Sequence, residues 1–231
     1  MRGRQEEKLN KKIKGNFDGF VKSLDYSAMR EDLDKDLIHI KLGIEDALDD
    51  LAKVMTRDLT LNSRNTFDIY SKEYLKFKTV DIKKRKDEII NTINKAKQEY
   101  KKLIASKVTK INETTRKAVA RAIKENLEGK YGLNNLRKQI EEKVGSKWRA
   151  KLISQLETRQ QCDLSSYELS KKLDLPREWR WVPGSKTPRE HHQAMSGEQV
   201  KGNQRYSNGL RFPHDPEADI LETAHCNCIE L

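Results

Sequence analysis

At 231 residues, with 36% charged, 35% hydrophobic and 6% aromatic side chains, the chain is too poor in core formers for one large globule. It is also too apolar and too periodic for a disordered segment, so long helices burying narrow stripes are expected. No stretch approaches the roughly 20 apolar residues of a membrane span. The charged start Met1-Arg2-Gly3-Arg4 lacks the apolar core of a signal peptide. Three cysteines, two of them one residue apart, make no disulfide framework, which points to synthesis in a reducing cytoplasm.

The net charge of +11 is unevenly placed. Residues 62–151 hold 25 Lys/Arg against 11 Asp/Glu, whereas residues 25–59 hold 5 against 10. A polyanion such as nucleic acid fits the basic segment. A solvated lysine face on a soluble helix accounts for the same charge.

In chain order, Leu33, Leu37, Ile40, Ile44, Leu48, Leu51 and Met55 recur every three or four residues and predict an amphipathic helix over Ser27–Leu59. Leu61-Asn62-Ser63-Arg64-Asn65 reads as a break, since Asn and Ser favour turns and caps. A second helical stretch is expected from Thr66 to Glu128, interrupted at Thr79-Val80-Asp81. Phe67, Tyr70, Tyr74 and Phe77 form an aromatic stripe, read as core or helix contact. Ile82, Ile89, Ile93, Ala96, Tyr100, Leu103 and Ile111 continue it as a near-heptad seam. Run straight, residues 66–128 would span about 95 Å. So long a rod has to pack on the first helix, on copies of itself or on a large partner. Gly129 and Gly132 bracket a turn, Leu133–Val144 is a short helix ended by Gly145, and Trp148–Leu173 is another, carrying Leu152, Ile153, Leu156, Cys162 and Leu169.

Residues 176–231 hold all five prolines, two of three tryptophans and four of five histidines. Short strands, turns and loops are expected there, tied to the helices by Trp179, Trp181 and Phe212. The fold class is therefore mainly α, with long helices in the N-terminal region and a small α+β C-terminal module. The domains expected are 1–131 and 132–231.

His191, His192, His214, His225, Cys226 and Cys228 concentrate in this module, and thiolate with imidazole suits zinc. Cys-x-Cys is tighter than the usual spacing of structural zinc sites and has no second pair. His192, Cys226 and Cys228 are thus only weak metal candidates. A Cys/His nucleophilic pair is the other formal chemistry, without a recognisable nucleophile motif. The plain alternative puts both thiols on the buried side of a terminal strand, with His225 and Asn227 opposite. Glu157, Arg189 and His192 could share a buried polar network. No phosphate-binding glycine loop and no base-reading motif is present. DNA contact would be backbone-directed, with Lys83, Lys84, Arg85, Lys86, Lys101 and Lys102 as candidates.

Trp179-Arg-Trp, Arg189-Glu-His-His192, Gly197, Pro213-His-Asp-Pro216 and Cys226-Asn-Cys228, in that order and spacing, resemble the phage Mu F-like head morphogenesis family. Upstream, Arg149-Ala150, Ile153 and Glu157-Thr158 resemble its Arg-Ala-x-x-Ile-Ala-Arg-Thr-Glu-Thr helix. The likeness covers about Gly132 to Leu231. Asn227 stands where the family has the middle arginine of Cys-Arg-Cys, His225 where an asparagine is common, and Gln155-Leu156 where Arg-Thr precedes the glutamate. The resemblance implies a minor capsid protein of a tailed bacteriophage, made in the host cytoplasm and housed in the capsid interior of the virion at the portal vertex. It implies roles in head assembly and in genome packaging and ejection, with non-specific binding of packaged double-stranded DNA. The portal protein is the expected partner, with major capsid or scaffolding protein and sibling copies as further candidates. No enzymatic activity and no cofactor are expected, and the Cys-x-Cys becomes a structural closure. The chain ends three residues after Cys228, so a fused toxin domain is not expected. The competing expectation is a zinc- or cysteine-dependent enzyme acting on nucleic acid or peptide.

Overall fold

A computed structural model describes residues 2–25, 43–129, 133–182, 189–223 and 226–231. Its elements are α1 (Arg2–Ser23), α2 (Ile44–Phe77), α3 (Lys86–Glu128), α4 (Leu133–Lys143), α5 (Lys147–Leu173), β1 (Pro176–Arg180), α6 (Glu190–Ala194), β2 (Gln199–Lys201), α7 (Ile220–Thr223) and β3 (Ile229–Glu230). This is the expected mainly α fold with a small C-terminal sheet. Among the described residues no helix is long and apolar enough to cross a membrane.

The chain forms two compact units, and neither is contiguous. The first comprises Met1–Glu6, Leu61–Lys101 and Gln155–Leu231; the second comprises Glu7–Thr60 and Lys102–Ser154. This partition differs from a cut between residues 131 and 132, because α2, α3 and α5 each contribute a segment to both.

The second unit is a helical bundle. Leu9, Ile13, Phe17, Phe20, Val21 and Leu24 of the α1 segment are buried, as are Ile44, Leu48, Leu51, Met55 and Leu59 of α2. The α1 stripe follows the same three-and-four spacing as α2, although its charged flanks hide it from a composition reading. Of the helix expected over Ser27–Leu59, Leu33, Leu37 and Ile40 lie outside the described residues. Along α3 the seam passes through Ile104, Val108, Ile111, Thr115 and Val119; Leu103, named in the expected seam, is only half-buried. Polar contacts fix the register of the helices: Asn16 Nδ2 donates to Asp58 at 3.1 Å, Asn112 Nδ2 donates to the Leu48 carbonyl at 2.9 Å, and Arg116 pairs with Glu45. Ser146 caps α5, its hydroxyl accepting from the Arg149 amide at 3.1 Å.

In the first unit the break expected at Leu61–Asn65 is absent, and α2 runs through it. Asn62, Ser63 and Thr66 are buried there, and the Asn62 side chain donates to Gln161 Oε1 at 2.9 Å. Tertiary hydrogen bonding has overridden local turn preference. The interruption at Thr79-Val80-Asp81 is present: Thr79 has φ +54, and Asp81 Oδ1 accepts from the Lys83 and Lys84 amides. The aromatic stripe is core at Phe67 and Tyr74, but Phe77 is 64% exposed. The turn expected between Gly129 and Gly132 falls partly outside the described residues.

Helix α5 is unusual because residues 160–170 are buried on every side. Its serines and glutamines allow close approach while bonding outward: Ser165 Oγ to Ser71 Oγ at 2.6 Å, and Ser170 Oγ to Tyr74 Oη at 2.6 Å. After Leu173 the helix ends at Asp174, whose φ is +54, and the chain enters β1. The sheet is antiparallel, in the order β2-β1-β3. Alternation in β1 turns Arg177 and Trp179 inward, and both are fully buried.

Candidate functional site: a buried histidine and two thiols

β1 places Trp179 over the site, α6 supplies His192, α7 supplies Glu222, and the segment entering β3 supplies Cys226 and Cys228. The turn from α6 into β2 needs Gly197: its φ of +95 suits glycine, and its amide donates to the Trp179 carbonyl at 2.7 Å. That bond carries α6 alongside β1. Arg189 precedes α6 and donates from Nη2 to the Leu221 carbonyl, tying α6 to α7.

His192, Cys226 and Cys228 are 2%, 4% and 1% exposed. His192 Nδ1 lies 3.6 Å from Cys226 Sγ and 3.8 Å from Cys228 Sγ. On the other side of the ring, Nε2 lies 3.0 Å from Glu222 Oε2, which also meets His191 Nε2 at 3.0 Å. A carboxylate accepts, so His192 Nε2 carries the proton and Nδ1 turns its lone pair to the sulfurs. The hydrogen bond from His191, with that from His192, outweighs partial burial and holds the Glu222 carboxyl below its ordinary range. The Trp179 ring stands edge-on to His192, with centroids 5.1 Å apart.

The Cys226 carbonyl is gripped from two sides. Arg159 Nη1 donates to it and to Asn227 Oδ1. His214 Nε2 reaches it at 3.0 Å while His214 Nδ1 meets Asp163 Oδ2 at 2.6 Å. Both partners of His214 are acceptors, so both ring nitrogens donate and the ring is an imidazolium. Burial opposes that charge, but Asp163 and Cys226 outweigh it and raise the His214 pKa. The Pro213–Pro216 loop presents this histidine, and Asp215 anchors the loop through Arg211 at 2.6 and 2.8 Å. With their carbonyl fixed, both thiols of Cys226-Asn227-Cys228 face His192 while Asn227 turns to Arg159. The hydrogen bond from Cys228 draws the Cys226 thiol far down, and the same contact together with burial pushes Cys228 up. The pair thus gives up its first proton readily and holds the second tightly.

Trp179, Arg189, His192, Gly197, Pro213, Pro216, Cys226 and Cys228 therefore all belong to one constellation or its frame. Glu157, expected in a network with Arg189 and His192, accepts from Tyr100 Oη, and Tyr100 Oη accepts from Gln161 Nε2 at 3.0 Å. Arg149 belongs to the second unit. It stacks 4.4 Å from the Phe17 centroid, and its Nη2 donates to Ile111 O, Thr114 Oγ1 and Thr115 Oγ1 at 3.2, 2.9 and 2.8 Å. Burial lowers its pKa to about 10, which leaves it cationic at neutral pH. Arg149→Met should destabilise the bundle by about 1–3 kcal/mol in urea unfolding, and Arg149→Lys should not restore it, because an ammonium lacks the planar fork. Equal stability of the lysine variant and the parent would refute this account.

Asp163, Arg159, Glu222 and the orienting role of His214 escaped sequence reading. Each lies far from the cysteines in the chain or in a segment without periodicity, and no spacing signal marks it. His225 and residues 183–188 lie outside the described residues. Glu222, His192 and Cys226 have the connectivity of a nucleophilic triad, but the thiols are enclosed. The basic candidates Lys83, Lys84, Arg85, Lys86, Lys101 and Lys102 are exposed, with Lys84 opposite Asp81 and Arg85 opposite Glu88. No protein-family model, curated protein or solved structure matches the chain.

Proposed function

We propose that the protein is a minor head protein of a tailed bacteriophage, acting inside the capsid at the portal vertex in head assembly and in genome packaging and ejection. One observation carries the reading. The residues whose order resembles the Mu F-like signature, dispersed from Trp179 to Cys228, meet around a single buried cluster. Coincidental spacing gives no reason for Arg189 and Gly197 to hold the segment that bears His192. Enclosure of Cys226 and Cys228 favours structural over nucleophilic use, so the reading is of a non-enzymatic assembly protein.

Partners follow from charge and length. Lys83, Lys84, Arg85, Lys86, Lys101 and Lys102 would meet DNA phosphate, abundant in a filled head, without reading bases. The helical segments would dock on the portal protein, on capsid or scaffolding protein, or on sibling copies. Binding to unrelated duplexes should be equal at fixed salt. If all six cations contact phosphate, affinity should fall with a log–log salt slope of about −5. Reversing those six charges to glutamate should abolish retention at low salt. Fluorescence anisotropy on two duplexes of different sequence tests this, and salt-insensitive or sequence-selective binding would sink it. Co-purification with the portal protein encoded beside its gene tests the assembly role separately.

A further inference from the structure

We propose that His192 Nδ1, Cys226 Sγ and Cys228 Sγ hold a thiolate-preferring divalent cation, zinc, as a structural clasp between α6 and the C-terminal segment. The three ligand atoms lie within 4.8 Å of one another. In a tetrahedral site with ordinary Zn–N and Zn–S bonds, the N···S edge is about 3.6 Å. The observed separations are 3.6 and 3.8 Å. Three protein atoms leave one corner for water or a further donor.

Hydrogen bonding alone accounts for less of this arrangement. The single Nδ1 lone pair can accept from one thiol, and two thiols face it. Donors gather around the sulfurs, as they do around thiolates: the Cys228 amide lies 3.4 Å from Cys226 Sγ. The fully buried Trp179 indole N–H has no acceptor in bonding range among the described residues. Two thiolates enclosed without a cation would carry a large desolvation penalty that a dication removes. Glu222 on the far nitrogen is the arrangement that fixes the tautomer of a metal-ligating histidine. The second cluster, His191, His192 and Glu222, needs no ion, because its 3.0 Å contacts are ordinary N–H···O bonds.

The module has a use for such a clasp. Its core is Trp179, Met195, Tyr206, Leu210, Cys226 and Cys228, and two of those six are the thiols. So small an apolar cluster gains most from a staple, and metal binding adds directly to folding free energy. The narrow Cys-x-Cys spacing is no obstacle, since Arg159 and His214 hold the intervening backbone so that both sulfurs face one point.

Full-length protein purified without chelator from zinc-supplemented cells should carry about one zinc per chain by elemental analysis. Cys162→Ser should retain it, whereas Cys226→Ser and Cys228→Ser should each drop below about a tenth of an equivalent. Cobalt substitution of the wild type should give a sulfur-to-metal charge-transfer band and strong visible absorption from a tetrahedral centre. Glu222→Gln should bind zinc on the order of 10- to 100-fold more weakly in competition with a chelator. Should the cysteine variants fail to fold, the wild type decides alone: less than about a tenth of an equivalent of zinc, or cobalt absorption without a thiolate band, overturns the assignment. Zinc retained by a folded Cys226→Ser/Cys228→Ser variant overturns it equally.

Discussion

Arg177→Met should destabilise the first unit by about 3–5 kcal/mol near pH 8, because it strands a buried acid. Arg177 and Glu230 are both fully enclosed, with 2.9 Å between Nη1 and Oε2. The guanidinium also donates to the Arg211 carbonyl at 2.6 Å and to the Gln204 carbonyl, and it packs over the Tyr167 and Tyr206 rings. Methionine restores apolar volume but none of those bonds, leaving two carbonyls without their donor and the Glu230 carboxylate without its cation, held only by the Ser166 and Tyr206 hydroxyls. Exchanging both partners, as in Arg177→Met with Glu230→Leu, removes the stranded charge and should recover most of the loss. Urea unfolding followed by tryptophan fluorescence measures this, since Trp179 and Trp181 report from the same unit. A single variant within about 1 kcal/mol of wild type would show that the pair contributes little.

This pair also marks where sequence reading stops. Pro176-Arg-Glu-Trp-Arg180 reads as a charged strand, and nothing in it says that Arg177 points inward with Trp179. Its burial becomes sensible only when Glu230, Tyr167 and Tyr206 arrive from distant segments. The same holds for α5. Of its expected apolar residues Cys162 and Leu169 are buried but Leu152, Ile153 and Leu156 only half-buried, whereas Ser154, Thr158, Gln161, Ser165 and Ser166 are enclosed. A helix enclosed on all sides, against polar and apolar neighbours alike, has no single hydrophobic face for periodicity to detect. What was legible was what periodicity and punctuation encode: the stripe of α2, the interruption after Phe77, the short helix before Gly145 and the change of texture at Pro176. The break at Asn62–Ser63 misled because turn preference is a weak local term that one tertiary amide bond can outweigh.

At the site, the reactive atoms were legible and their supports were not. Cys226, Cys228 and His192 stand out by type. Glu222, which sets the tautomer of His192, and Arg159 and His214, which set the direction of the thiols, are ordinary polar residues in sequence. Their roles follow from contacts that no spacing rule predicts. Those supports also change what the cysteines can do, since an enclosed pair sharing a histidine lone pair suits a closure better than attack on a substrate.

A falling stability between mildly acidic and neutral pH is the second large effect to expect. Burial raises the Glu230 pKa from 4.5 to about 7, and the opposing pull of Arg177 does not cancel it. The folded state therefore binds this proton more tightly than the unfolded chain. Its contribution is fully present below pH 4.5 and is lost as pH rises towards 7, by roughly 3 kcal/mol. His214 acts in the same direction at higher pH: its pKa is raised above 6.5, so the imidazolium–Asp163 pair stabilises below that value and is lost as pH climbs through the folded one. Asp215 works at the other end. Its lowered pKa contributes above pH 3.8 and disappears as acid protonates it, so strong acid also unfolds the loop that carries His214. Urea midpoints should thus peak in mild acid and decline through neutrality. Glu230→Gln should flatten the decline between pH 4.5 and 7 while leaving the later His214 step in place. In Arg177→Met the decline should steepen, because the cation that favours the carboxylate is gone, and the loss should be smallest near pH 5 and largest near pH 8. A Glu230→Gln profile parallel to that of the wild type would remove Glu230 as the source of the slope.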